Sequence, residues 1–177
     1  AFYEALIACM QKAAREASIP LAIRLVTERS LEDALAERLA SDSRRNPLFL
    51  IGLDPSLHMI ELIKEAEAPV VLVNGVDPSM QLDSAAPSNF YGGRLAADLL
   101  LSHGHTSILY VTSILRWTTS QRCLGFRLRV EEMPGTTLDI VRLAEPTRED
   151  AERTIEAMLA KDWRWSAVFC MNDLYAI

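Results

Sequence analysis

Short, mostly apolar runs recur along the chain, separated by segments with helical periodicity, and this alternation limits the fold more than any other feature. Leu48-Phe49-Leu50-Ile51, Pro69-Val70-Val71-Leu72-Val73, Ile108-Leu109-Tyr110-Val111, Leu138-Asp139-Ile140-Val141 and Ala167-Val168-Phe169-Cys170 read as strands. Continuous apolar runs suit strands covered on both faces, as in parallel sheets. Pro20 introduces a sixth β-type run, Leu21–Val26. Between these runs lie helical patterns: 3–17 with Leu6, Ile7, Met10, Ala13, Ala14 and Ala17 in a stripe, and a helix capped by Ser30 with Leu31, Leu35 and Leu39 on one face. A helix through Ile60 and Ile63 follows the stop at Asp54-Pro55-Ser56; others cover 89–102, 119–132 and 147–161, the last with Ile155, Met158 and Leu159 inward. Residues 75–88, rich in Gly, Pro and Ser, read as an extended connection, and Asn172-Asp173 opens a final helix. Strands alternating with helices of this length imply βαβ units, a parallel sheet and an α/β fold.

Both ends look abrupt, since the chain starts and stops inside helical segments; a fragment, or the ordered part of a longer chain, is expected. Eighteen basic and twenty-four acidic residues give a formal net charge of −6. Nucleic-acid binding depends on Lys and Arg displacing counterions from phosphate, so any DNA must be held by another segment. No run of eighteen apolar residues occurs, and no membrane partner is expected. Cys9, Cys123 and Cys170 are dispersed in apolar settings and read as buried reduced thiols, which suits a cytoplasmic protein.

Motifs for chemistry are missing. The sequence holds no Gly-x-Gly-x-x-Gly, no Gly-x-x-x-x-Gly-Lys and no Gly-x-Ser-x-Gly. His103-Gly104-His105 lacks further ligands at metal-binding spacing, and Gly104 reads as a helix C-cap. No nucleophile, base and oxyanion donor assemble at a recognisable spacing, so neither enzyme activity nor a metal or cofactor is expected.

Four stretches, in order, carry a resemblance. Ala1-Phe2-Tyr3-Glu4-Ala5-Leu6-Ile7 opens the chain. Ser88-Asn89-Phe90-Tyr91-Gly92-Gly93 leads to Leu100-Leu101-Ser102-His103-Gly104-His105. Arg122-Cys123-Leu124-Gly125-Phe126 follows, and Ser166–Ala176 contains Asn172-Asp173. Together they resemble the core of the LacI/GalR family of bacterial regulators, with Ser88 standing where that family commonly has an acid. The resemblance implies two Rossmann-like lobes with parallel sheets, the periplasmic-binding-protein-like arrangement, here incomplete. The first lobe would cover residues 1–105 and the second 106–177, with the helix-turn-helix absent from this chain. It implies a sensor of a small metabolite, a sugar or related compound, acting in a homodimeric repressor that meets operator DNA only through the absent domain. Two alternatives stand: a periplasmic sugar-binding protein of the same fold, and an enzyme on a Rossmann-like scaffold.

Ligands of such sheets lie beyond the carboxyl ends of the strands. Under the resemblance, Phe2 and Tyr3 would sit at the cleft rim as ring-covering aromatics, or pack between helices. Arg122 would offer its rigid fork of donors to the ligand, or form a surface ion pair. Arg116 and Thr118 lie in the loop expected to wall the cleft, where solvated loop residues are the alternative. Asn172 follows a strand directly and could bind ligand while Asp173 caps the helix, or could itself be only a cap. Asn74 and Tyr91 are further candidates, and Asp54 is another, although Asp-Pro-Ser equally starts a helix.

Overall fold

The computed structural model describes residues 2–27, 30–41, 45–113, 116–161 and 163–176; Ala1, the first residue of the opening motif, lies outside them. In chain order the elements are α1 (Phe2–Glu16), α2 (Leu31–Ala40), β1 (Leu48–Ile51), α3 (Leu57–Glu65), β2 (Val70–Val73), β3 (Asp83–Ala85), α4 (Asn89–Ser102), β4 (Ser107–Thr112), α5 (Trp117–Glu131), β5 (Thr137–Arg142), α6 (Arg148–Leu159) and β6 (Ala167–Cys170). A single 3-10 turn, Asp173–Tyr175, stands where a final helix is expected. Two separate three-stranded sheets form, ordered β1-β2-β3 and β5-β4-β6, and every strand pair is parallel. The expected α/β, two-sheet architecture is therefore the one observed.

Each sheet has its own core. Leu35 and Leu39 of α2, Met59 and Ile63 of α3, and Leu50, Val70 and Leu72 form the first. The second gathers Ile108, Leu109, Tyr110 and Val111 of β4 with Phe126 and Val130 of α5, Ala151 of α6, and Met171 and Tyr175. Tyr110, Phe126 and Phe169 form an aromatic triangle with centroids 4.7–5.2 Å apart. Ala96, Ala97, Leu100 and Leu101 also belong to this second core. So α4, which the sequence reading assigned to the first lobe, packs in space with the second. The division falls at residues 86–88 rather than after residue 105, because the apolar face of α4 is covered by α5 and β4.

The reason α4 and α5 pack so closely lies in two motif glycines. A Cβ on Gly93 would collide with the backbone carbonyl oxygen of Arg122, and one on Gly125 with that of Phe90. Each glycine is thus the contact point at which one helix backbone rests on the other. The bidentate pair of Arg94 with Glu132, both oxygens at 2.7 Å, and the Arg129–Asp98 pair at 2.5 Å link the same two helices.

Other expectations need correction. Leu21–Val26 joins no sheet, and Leu25 is 87% exposed. An apolar β-type run becomes a strand only where a neighbouring edge satisfies its backbone, and no described strand pairs with it. The connection 75–88 contains β3, a polar and fully exposed edge strand of three residues, a length and composition that limit further pairing. Ser30 precedes α2 without a side-chain capping bond, its hydroxyl bonding Thr27 instead. No residue of α1 is buried, Leu159 is exposed, and Cys9 is exposed as well. Gly104 does close α4 in the left-handed region, at φ +81°.

Asp77 fixes the approach to β3. Its carboxylate is 3% exposed and accepts from the Ser79 hydroxyl and from the backbone N–H groups of Ser79, Gln81 and Leu82. Burial alone would raise its pKa, but these hydrogen bonds outweigh burial and hold the carboxyl below its ordinary value.

Two outcomes follow from this packing. Gly125→Ala should lower the unfolding free energy by about 1–3 kcal/mol in a denaturant melt through overpacking. Gly92→Ala, whose Cβ meets open space, should be neutral or stabilising in the same assay, since alanine favours helix. The depressed carboxyl of Asp77 contributes stability that is present above its unfolded pKa and lost as pH falls through its folded value. Asp77→Asn should flatten the acid limb of a stability–pH curve relative to the parent; an unchanged limb contradicts the assignment.

Candidate functional site between the two sheets

The carboxyl ends of β1 and β2 lead into two short turns. After β1 come Gly52 at φ +74° and then Asp54; after β2 comes Asn74, itself in the left-handed region at φ +51°. A Cβ on Gly75 would collide with the Leu53 carbonyl, so these turns touch backbone to backbone. Tyr3, in the first turn of α1, lays its ring against Gly52, leaving no room for a side chain there. The Asn74 amide Nδ2 donates to the Tyr3 hydroxyl at 3.1 Å.

Facing them is the start of α5. Arg116 precedes this helix in an extended conformation and supplies no cap of its own. Its Nη1 donates to the Tyr3 hydroxyl at 3.0 Å and its Nη2 to the Asn74 carbonyl at 2.7 Å, with Asp54 Oδ1 at 3.5 Å. The Trp117 backbone N–H donates to Asp54 Oδ2 at 2.6 Å. No acid of α5 lies in its own first turn, so Asp54 supplies from the opposite lobe the negative charge that a helix N-terminus favours. The Arg116 Nε is buried without a partner among the described residues. Polar groups from both sides thus meet one another directly across the gap. Two open surface depressions lie elsewhere, along α3 beside Lys64 and Gln81.

Arg122 is six residues further along α5, about 9 Å by helix rise. Its Nε and Nη2 donate to Asn89 Oδ1 at 3.1 and 2.7 Å, and its Nη1 to the Met171 carbonyl at 2.5 Å. It lies at the carboxyl end of the second sheet, where Met171 N–H donates to the Val111 carbonyl. Nearby, the Ser113 and Tyr175 hydroxyls pair at 2.7 Å, and the Thr112 hydroxyl donates to the Met171 sulfur. Asn172 Oδ1 accepts from the Tyr175 N–H, so Asn172 does the capping expected of Asp173.

Of the residues singled out by sequence, Tyr3, Asn74 and Arg116 come together with Asp54 in one hydrogen-bonded cluster. Arg122 forms a second, with Asn172 beside its Met171 acceptor. Thr118 is buried in the first turn of α5, and Phe2 is exposed with its ring edge-on to Tyr3. Tyr91 stands apart, two-thirds exposed on α4 in line with Leu95 and Leu99. Asn89, unnoticed within its motif, is a buried partner of Arg122; its signal was an amide at the first position after a connection that joins two units.

Burial pushes the Cys123 and Cys170 thiols above their usual value, which disfavours the reactive thiolate. Among the described residues no group of three or more His, Cys, Asp or Glu side chains could hold a metal ion.

The family described as periplasmic binding proteins and sugar binding domain of LacI family matches residues 1–177. A curated relative, the HTH-type transcriptional repressor PurR of Aliivibrio salmonicida (strain LFI1238), is 28% identical over 143 residues, covering 79% of this chain. The chain spans 43% of that relative's length. Among solved structures, a periplasmic solute binding protein from Actinobacillus succinogenes 130z with bound D-allose superposes with a TM-score of 0.84 at 16% identity, over 99% of this chain and 66% of the other. A LacI family transcriptional regulator from Enterococcus faecalis V583 with bound ribose gives 0.78 at 18% identity, over 99% and 64%. At these identities the structures establish fold. The match to that family covers the whole chain, and the chain belongs to it: it is a member of the family of periplasmic binding proteins and LacI-type sugar-binding domains.

Proposed function

We propose that this chain senses a small metabolite for a LacI/GalR-type transcriptional repressor. A sugar or related compound binds between the lobes and alters their relative angle. In the full-length protein, a cytoplasmic homodimer, that change reaches a DNA-binding domain outside this chain. The observation that carries the reading is Arg116: one side chain of the second lobe reaches Tyr3, Asn74 and Asp54 of the first. A ligand offering hydroxyl or carbonyl oxygens competes for these donors, and Phe2, Thr118, Arg122 and Asn172 complete the set of contacts. Tyr91 is left out, since it faces solvent on α4.

The relatives support this reading through the repressors they are named as, and the ribose-bound regulator through its ligand. A ligand shifts a two-state equilibrium only by its difference in affinity between the states. About 2 kcal/mol of such difference changes the population ratio roughly thirtyfold. The net charge of −6 is consistent with DNA affinity residing elsewhere in the full-length protein. Among the described residues no helix is long and apolar enough to cross a membrane. A transport role has its own support in the likeness to the D-allose-bound periplasmic protein. The upstream coding sequence separates the two, a helix-turn-helix marking a regulator and an export signal a transport protein.

A thermal-shift screen of the full-length protein against sugars, sugar acids, polyols and nucleobases should yield a compound whose shift rises with concentration. Arg122→Ala should abolish that shift; a retained shift removes Arg122 from the contacts, and no hit at all sinks the sensing reading. Arg116→Ala should free the lobes of the ligand-free protein from one another. Small-angle scattering should then report a larger radius of gyration than for the parent, and an equal radius would count against Arg116 as the inter-lobe tie.

A further inference from the structure

Among the described residues the two lobes are joined covalently by one stretch of chain, residues 86–88, between β3 and α4. Asn89 follows it directly and is only 7% exposed. Its Nδ2 donates to the Pro87 carbonyl at 3.1 Å, and its backbone N–H donates to the same oxygen at 2.8 Å. Its Oδ1 receives both Nε and Nη2 of Arg122. The orientation of this amide is fixed by chemistry. A guanidinium only donates, so the atom facing it must be oxygen, and the atom facing a carbonyl must be the NH2. Ser88, which occupies the N-cap position, makes no side-chain capping bond.

We propose that Asn89 is a positioning residue that couples the Arg122 guanidinium in the cleft to the inter-lobe connection at Pro87. The primary amide is planar and rigid, so its acceptor and donor ends turn together about one soft torsion. Hydrogen bonds from a charged donor are about twice as strong as neutral ones, and two of them hold the acceptor end. Drawing Arg122 away from Oδ1 therefore releases Nδ2 from Pro87 and loosens the segment about which the lobes turn. That a bound metabolite does the drawing rests on the effector reading; the coupling between Arg122, Asn89 and Pro87 does not.

Hydrogen exchange of the full-length, ligand-free protein, followed on peptides covering residues 84–93, tests the coupling. Arg122→Ala and Asn89→Ala should each accelerate exchange there by about tenfold, while peptides from β4 keep the parent rate. The double variant should be no faster than either single one, because both break the same link. Asn89→Asp, which keeps an acceptor for Arg122 but loses the donor to Pro87, should free residues 84–93 and leave the peptide containing Met171 as in the parent. Arg122→Lys, a milder change, should give an intermediate rate. The proposal is overturned if neither Arg122 variant alters residues 84–93, or if the two alanine effects multiply. No ligand enters this measurement, so its failure and a failure of the ligand screen are separate results.

Discussion

A single arginine at the mouth of α5 carries the direct polar contact between the lobes through its side chain, aided by the neighbouring Trp117 N–H. Arg116 meets a phenol, a backbone carbonyl and a carboxylate that arrive from three different segments of the first lobe. Those segments can converge only because the β1 and β2 turns are cleared of side chains at Gly52 and Gly75. The same carboxylate, Asp54, also serves as the N-terminal acceptor of α5. Two kinds of stabilisation, helix capping and ion pairing, are therefore placed across a gap instead of within one unit.

The contact is modest in magnitude. Hydrogen bonds that involve a charged group contribute about 1.5–3 kcal/mol each, less where solvent reaches them, an acid at a helix N-terminus about 0.3–1, and a partly exposed ion pair at 3.5 Å no more than that. Their sum is a few kcal/mol, the same order as the difference in affinity by which a small molecule shifts a conformational equilibrium. The two apolar cores are separate clusters, one under each sheet.

Much of this was legible in the sequence because mostly apolar runs mark strands, and five such runs became strands at nearly their expected positions, although β5 and β6 contain no buried residue. Where side-chain pattern and backbone pairing part company, the reading failed. Leu21–Val26 has the composition of a strand without a neighbour, and β3 is a strand without the composition. The placement of α4 was hidden because sequence order and spatial order differ at a crossover, and Ala96 and Ala97 look alike whichever sheet they cover. In the site, the resemblance together with strand-end logic singled out Tyr3, Asn74 and Arg116, which the structure brings into one hydrogen-bonded cluster. It passed over Asn89, whose role depends on Arg122 thirty-three residues away, a pairing that no local pattern encodes.

Gly93 and Gly125 rest backbone on backbone, so each helix fills the notch of the other. Such an interlock resists sliding and turning alike, and it makes α4 and α5 one stiff beam. Arg116 stands at the start of α5, Arg122 lies along it and Asn89 opens α4, so all three side chains are carried by this one interlocked helix pair.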